Sequence, residues 1–205
     1  VLLGLLFAHL APSFAGAQGV PREALRRDLE RDQRNLRAYV RAMPDSLFGF
    51  RPTSEVRSFA EQIEHAVLDN VNITSTALTG DTLEWERPDR RRYLSETEAL
   101  LDLVDRSFEV VFRLLDGASD AELAALGEVF GRYRLPRWRA FQAAREHGTW
   151  TLAQTVPYLR LNGITPPSYE VFDPSTREPG GGASGAEEVE GRSPKEDPEP
   201  EMRRR

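Results

Sequence analysis

The chain has 205 residues, 40% hydrophobic and 29% charged, enough for one domain with a real core and a tail. The formal net charge is −6, and residues 170–205 carry −4 of it, so the remainder is nearly neutral and lacks the basic stripe of a general nucleic-acid binder. The absence of cysteine excludes disulfides and thiolate chemistry, and the one lysine, Lys195, sits in the tail, which excludes a buried Schiff-base lysine. Three histidines, His9, His65 and His147, bound any imidazole chemistry.

Residues 1–10 form an apolar run, and Ala15-Gly16-Ala17 matches the small-residue pattern before a signal-peptidase site. The run is too short for a membrane span, which takes about 20 apolar residues. The expectation is an export signal over residues 1–17, entered part-way because no Met or charged leader precedes it. The mature chain would then start near Gln18 without His9, in a periplasmic or extracellular setting.

The first predicted helix runs from Pro21 to Ala42, where Leu25, Leu29, Leu36, Tyr39 and Val40 recur at helical spacing. A loop with Arg51-Pro52 follows. Ser58 and Glu61 then make a capping box for a second helix carrying Phe59, Ile63, Ala66, Val67 and Val71, which fades near Gly80. Residues 81–93 read as a long polar crossover, and its run Arg90-Arg91-Arg92 as solvated.

Ser95 with Glu98 predicts the cap of a third helix through Leu100, Val104, Phe108, Val111 and Leu115, stopped by Gly117. Ser119 with Glu122 predicts a short helical piece, and residues 128–135 read as extended or irregular. A last helix is predicted from Pro136 to Asn162, with Gly163 as its stop and with Pro157 either kinking it or ending its regular part early. Trp138 and Phe141 on it read as core or rim. Beyond residue 173 the Gly, Pro, Glu and Ser content predicts disorder to residue 205. The fold expected is an all-α four-helix bundle with a long crossover between helices two and three.

On the second helix, steps of four residues put Glu61, His65 and Asp69 in one column. On the last helix, His147 shares a face with Thr151 and Gln154. Columns of this kind can converge on one interior site in a bundle, where imidazole and carboxylate together suit a divalent metal. Read as ordinary structure, the same residues are a solvated face and a hydrogen-bonded histidine. Asn72-Ile73-Thr74 matches a glycosylation acceptor, but on a predicted helix and by a short motif.

Two stretches carry a family resemblance. FRPTSEVRSFAEQIEH, residues 50–65, resembles the entry to the second helix of the DinB family, and YLRLNGITPPS, residues 158–168, resembles the close of its last helix. The resemblance implies a DinB-like domain over residues 21–168, a bundle in up-down-down-up order, and a metal site of three histidines: one from helix two and an H-x-x-x-H pair from the last. His65 takes the helix-two position and His147 the first position of the pair, while the second falls on Thr151, a weak neutral ligand. Gln154 matches a glutamine common there; Gly148, Trp150 and Pro157 depart from the family pattern.

Two readings stay open. Either zinc or nickel binds through His65 and His147, with Glu61, Asp69, Thr151, Gln154 or water completing the shell, or the site is vestigial and holds metal weakly or not at all. The corresponding functions are a metal-dependent transferase or hydrolase acting on a small molecule, in a family that includes thiol transferases and isomerases, and a non-catalytic bundle that takes a small ligand or protein partner in the former pocket. No nucleic-acid partner and no stable membrane span are expected; a homodimer is compatible with either reading.

Overall fold

The computed structural model describes residues 22–172. The export signal expected over residues 1–17, His9 and the tail expected from residue 173 lie outside them. The described chain is mostly helical. Its long helices are α1 (Arg22–Ala42), α2 (Phe59–Thr79), α4 (Thr97–Gly117) and α6 (Arg137–Ala153), with short helices α3 (Arg90–Tyr93), α5 (Asp120–Ala124) and α7 (Val156–Leu161) between and after them. Helix α2 packs against α4 and α6, and α1 packs against the same two. Among the described residues no helix is long and apolar enough to cross a membrane.

The apolar stripes read from sequence form one core. Leu25, Leu29, Leu36, Tyr39 and Val40 of α1 meet Ile63, Val67 and Val71 of α2, and Leu100, Val104, Phe108 and Val111 of α4. Phe48 and Phe59, 5.8 Å apart between ring centres, seal the end where α2 begins. Truncating a fully buried phenylalanine such as Phe108 or Phe141 to alanine would cost about 3–5 kcal/mol.

Helix starts and stops follow local chemistry where the partners are local. The Ser58 hydroxyl accepts the Glu61 N–H, and the Glu61 carboxylate accepts the Ser58 N–H at 2.8 Å. Ser119 and Glu122 repeat the arrangement at α5. Gly80 ends α2 with φ at 87°, and Gly163 follows α7 with φ at 72°, both in the region that glycine enters without strain.

Two expectations are corrected. Ser95 does not cap α4: its hydroxyl bonds back to the Arg91 carbonyl, and α4 is capped from afar by Asp45, whose carboxylate accepts the Thr97 N–H at 3.0 Å and the Thr97 hydroxyl. The fold is not purely helical either, since β1 (Leu126–Val129) and β2 (Tyr133–Pro136) pair antiparallel, with Leu126 opposite Pro136 and Val129 opposite Tyr133. This hairpin lies against the end of α2: Val129 joins Ile73, Ala77, Ala140 and Ala144 in a small second cluster, and Gly127 comes so close to the Ala77 carbonyl that a Cβ would collide with it.

The regular part of the last helix ends before Pro157, one of the two outcomes expected of that proline. α6 stops at Ala153 and α7 restarts at Val156, with the Thr155 hydroxyl bonding back to the Leu152 carbonyl at 2.7 Å. Pro157 therefore stands in the first turn of a new helix, where a missing N–H costs no hydrogen bond.

Candidate metal centre

The α2–α6 contact sets up the site. Asn70 of α2 is buried and its side-chain amide donates to the Ala144 carbonyl of α6 at 2.8 Å. Opposite it stands Gly148, where a Cβ would lie 3.2 Å from the Asn70 side chain. A glycine here lets the two helices approach, which accounts for one departure from the family pattern. The residues beside this contact, Asp69 on α2 and His147 on α6, are thereby brought face to face.

The His65 and His147 rings meet edge to face, their centres 4.9 Å apart at 89°. Asp69 stands between them. One of its carboxylate oxygens, Oδ2, is 3.6 Å from His65 Nδ1 and 3.5 Å from His147 Nε2. Both distances exceed hydrogen-bond range, so the carboxylate is near both rings and bonded to neither. The candidate ligand atoms of the three side chains all lie within 4.8 Å of one another. Ligand atoms on a tetrahedral zinc shell are about 3.3 Å apart, as follows from bond lengths near 2.0–2.1 Å. The carboxylate oxygen is already close to that spacing from each nitrogen.

The donor chemistry fits a divalent cation. Two imidazoles and one carboxylate form a mixed nitrogen and oxygen set, and no arginine or lysine engages Asp69 among the described residues. His147 Nδ1 is buried without a hydrogen-bond partner among the described residues. That leaves Nε2 as the nitrogen facing Asp69. The His65 pKa is lowered, first by burial and then by the charges of Arg57 and His147, against the opposing pull of Asp69. A lowered pKa keeps the ring neutral, which is the ligand form.

The expected interior site is a half-open one. The side chains of His65, His147 and Asp69 are 27%, 28% and 31% exposed. Two expected supplements are engaged elsewhere. Glu61 closes the α2 capping box and pairs with Arg51 at 2.6 Å, and its pKa is lowered chiefly by the Ser58 amide. Gln154 accepts from the Gln62 side chain at 3.1 Å. Thr151 is buried one turn beyond His147, and the carboxylate beside the two histidines belongs to Asp69.

Sequence reasoning missed the polar frame around the site. Arg90 is not simply solvated: its guanidinium makes two bonds to Glu64, at 2.7 and 2.8 Å, and the Tyr93 hydroxyl donates to the same carboxylate at 2.6 Å. Burial and the Glu64 bond both raise the Tyr93 pKa, so its phenol stays a donor. The available signal was Glu64 itself, next to the core residue Ile63 on α2, since a carboxylate buried there needs a partner.

The DinB superfamily model matches residues 28–156, a span that holds most of α1, all of α2, α4 and α6, and both histidines. A crystal structure of a DinB-like protein from Bacillus cereus superposes with a TM-score of 0.58, covering 72% of this chain and 97% of that one at 13% identity, which shows a shared fold. No curated protein sequence matches. With a match over more than half its length, and a mostly helical fold of the same kind, the chain belongs to the DinB superfamily.

Proposed function

We propose that His65, Asp69 and His147 together hold one divalent metal ion, zinc or nickel, and that the protein is a metal-dependent transferase or hydrolase acting on a small molecule. The observation that carries this reading is the Asp69 carboxylate between two imidazoles, with no arginine or lysine paired to it among the described residues. In this reading Asp69 is the third ligand, where the family pattern would have an imidazole at the position of Thr151. A bound divalent ion would supply a positive charge that lowers the pKa of a thiol or water beside it.

The chain's own residues do the rest. His65 and His147 offer neutral nitrogens. Asp69 adds one negative charge, so the set and a divalent ion together keep a net positive charge. Burial of about two-thirds of each side chain limits water on the protein side, and the exposed remainder leaves an approach for a substrate. The order of the four long helices is taken as up-down-down-up, as in the DinB family, and export is part of the same proposal. N-terminal sequencing of the secreted protein tests export; a mature chain that keeps residues 2–10 would refute it.

Metal analysis of protein purified without chelators tests the main reading. One equivalent of a transition metal per chain, and a cobalt-substituted form whose visible spectrum changes on adding a small thiol, support it. Metal-free protein that takes up no cobalt would favour the non-catalytic alternative, a bundle that binds a small ligand or protein partner in the same pocket.

A further inference from the structure

His65 and Asp69 line a cleft of about 450 Å³ that extends over the start of α2 toward α3. Three arginines line it as well: Arg51, Arg57 and Arg90. Two of them are neutralised within the chain. Arg51 pairs with Glu61 at 2.6 Å, and Arg90 forks onto Glu64 at 2.7 and 2.8 Å. Arg57 is exposed, and among the described residues its guanidinium has no ion pair and no hydrogen-bond partner. Its backbone is held in place nonetheless, because the buried Tyr158 donates its hydroxyl to the Arg57 carbonyl at 2.7 Å.

The charges of the cleft therefore cancel pairwise except at two points. One is Arg57. The other is the His65–Asp69–His147 set once it holds a divalent ion. A ligand that complements both carries a donor for the metal at one end and an anionic oxygen group at the other. Guanidinium recognises carboxylate and phosphate by the same paired N–H donation.

We propose that Arg57 is the specificity-determining residue of this cleft, anchoring the carboxylate or phosphate of a small anionic substrate whose other end reaches the metal centre. The proposal rests on the metal-centre reading for the second end of the ligand and on the Arg57 environment for the first.

The test compares two thiols on the zinc-loaded full chain by calorimetry. 3-Mercaptopropionate carries a carboxylate; 2-mercaptoethanol does not. The anionic thiol is expected to bind about tenfold more tightly, the difference that one charge-assisted hydrogen-bonded contact supplies. Arg57→Ala should erase that preference and weaken 2-mercaptoethanol binding far less than 3-mercaptopropionate binding. Equal binding of the two thiols, or an equal loss of both in Arg57→Ala, overturns the role of Arg57 and leaves the metal centre standing.

A second arm does not depend on metal. Acetate and inorganic phosphate are titrated into metal-free protein and followed by amide chemical shifts. Saturable shifts around residue 57 that vanish in Arg57→Ala support the anchor, and the tighter of the two anions identifies its source. If zinc fails to bind, the metal reading falls, and this arm alone decides: no saturable shift for either anion overturns the anchor too. Arg57→Ala removes an exposed side chain with no hydrogen bond or ion pair among the described residues, so loss of fold is not expected to confound either arm.

Discussion

Two polar clusters join α6 to its neighbours, and they are built on opposite rules. Toward α1, Arg145 pairs with Asp32 at 2.8 Å and with Asp28 at 3.2 Å, and Arg31 adds a bond to Asp28 at 3.0 Å. Toward α2, His147 Nε2 lies 3.5 Å from Asp69 and its ring centre 4.9 Å from that of His65, with no arginine or lysine paired to Asp69 among the described residues. The first cluster pairs its carboxylates with the chain's own cations, although Asp32 Oδ1 and Arg31 Nε have no hydrogen-bond partner among the described residues. The second leaves one carboxylate and two imidazoles converging but unbonded. Polar groups placed for stability are normally paired inside the protein, so a converging set without a partner points to a guest.

The largest expected effect breaks the second cluster. His147→Ala should weaken zinc binding by more than about 100-fold, beyond the roughly tenfold to 100-fold that a mere hydrogen-bond partner of a ligand contributes. Thermal melts with and without zinc check it: the wild type gains stability from the metal, about 2.7 kcal/mol at a hundredfold excess over the dissociation constant, and the variant gains nothing. A variant with the full zinc-dependent gain would place the metal elsewhere.

Breaking the first cluster should do the reverse. Arg145→Ala leaves Asp32, with a side chain only 9% exposed, without its main partner and should cost about 3 kcal/mol in urea unfolding. Zinc affinity should stay within a factor of about three, because the substitution leaves every proposed ligand in place. Coupled loss of stability and zinc binding would show that the clusters are one unit.

The two clusters also give stability opposite slopes with pH. Burial lowers the His65 pKa beneath its ordinary 6.5, so the folded chain binds fewer protons there than the unfolded one; its contribution is present above 6.5 and is lost as pH falls through the folded value. Burial raises the Asp32 pKa above its ordinary 3.8 despite Arg145, so its contribution is present below 3.8 and is lost as pH rises through the folded value. Denaturation of metal-free protein across these two windows should show a rising slope that His65→Ala removes and a falling one that Asp32→Asn removes. A histidine titration by nuclear magnetic resonance that put His65 above 6.5 would contradict the first assignment.

The smallest expected effect concerns the spacing of the helices. In Gly148→Ala the new Cβ would lie 3.2 Å from the Asn70 side chain, so the α2–α6 contact must give by a few tenths of an ångström. About 1 kcal/mol of destabilisation is expected, at the low end of overpacking costs. A modest loss of zinc affinity should accompany it because His147 is the adjacent residue. Unchanged stability would mean that Asn70 moves aside freely.

What the sequence revealed depended on the distance over which each feature acts. The amphipathic stripes of α1, α2 and α4, the boxes Ser58–Glu61 and Ser119–Glu122, and the stops at Gly80 and Gly163 are decided within a few residues, and all appear as expected. The Asp45 cap of α4, the Arg90 fork on Glu64 and the seating of Gly127 on Ala77 each join residues far apart in the chain. Their sequence patterns are silent, or misleading, as with Ser95 and the arginine run.

The site divides in the same way. The column of Glu61, His65 and Asp69 follows from helical spacing alone. The box also implied that the Glu61 carboxylate is engaged at the N-terminus of α2, a consequence available from sequence. That Asp69 of α2 also meets His147 of α6 depends on how closely the two helices approach. That approach is set by Gly148 and Asn70, whose meeting only the fold displays.

The claim that Asp69 completes the ligand set is tested most directly by calorimetric zinc titration of the full chain beside its Asp69→Asn form. The substitution keeps the shape of the side chain and removes its charge. One zinc per wild-type chain is expected, with affinity at least about tenfold lower in Asp69→Asn, because a neutral amide oxygen replaces an anionic ligand. Equal affinity in the two proteins, or no zinc bound by either, would contradict the assignment of His65, Asp69 and His147 as a metal centre.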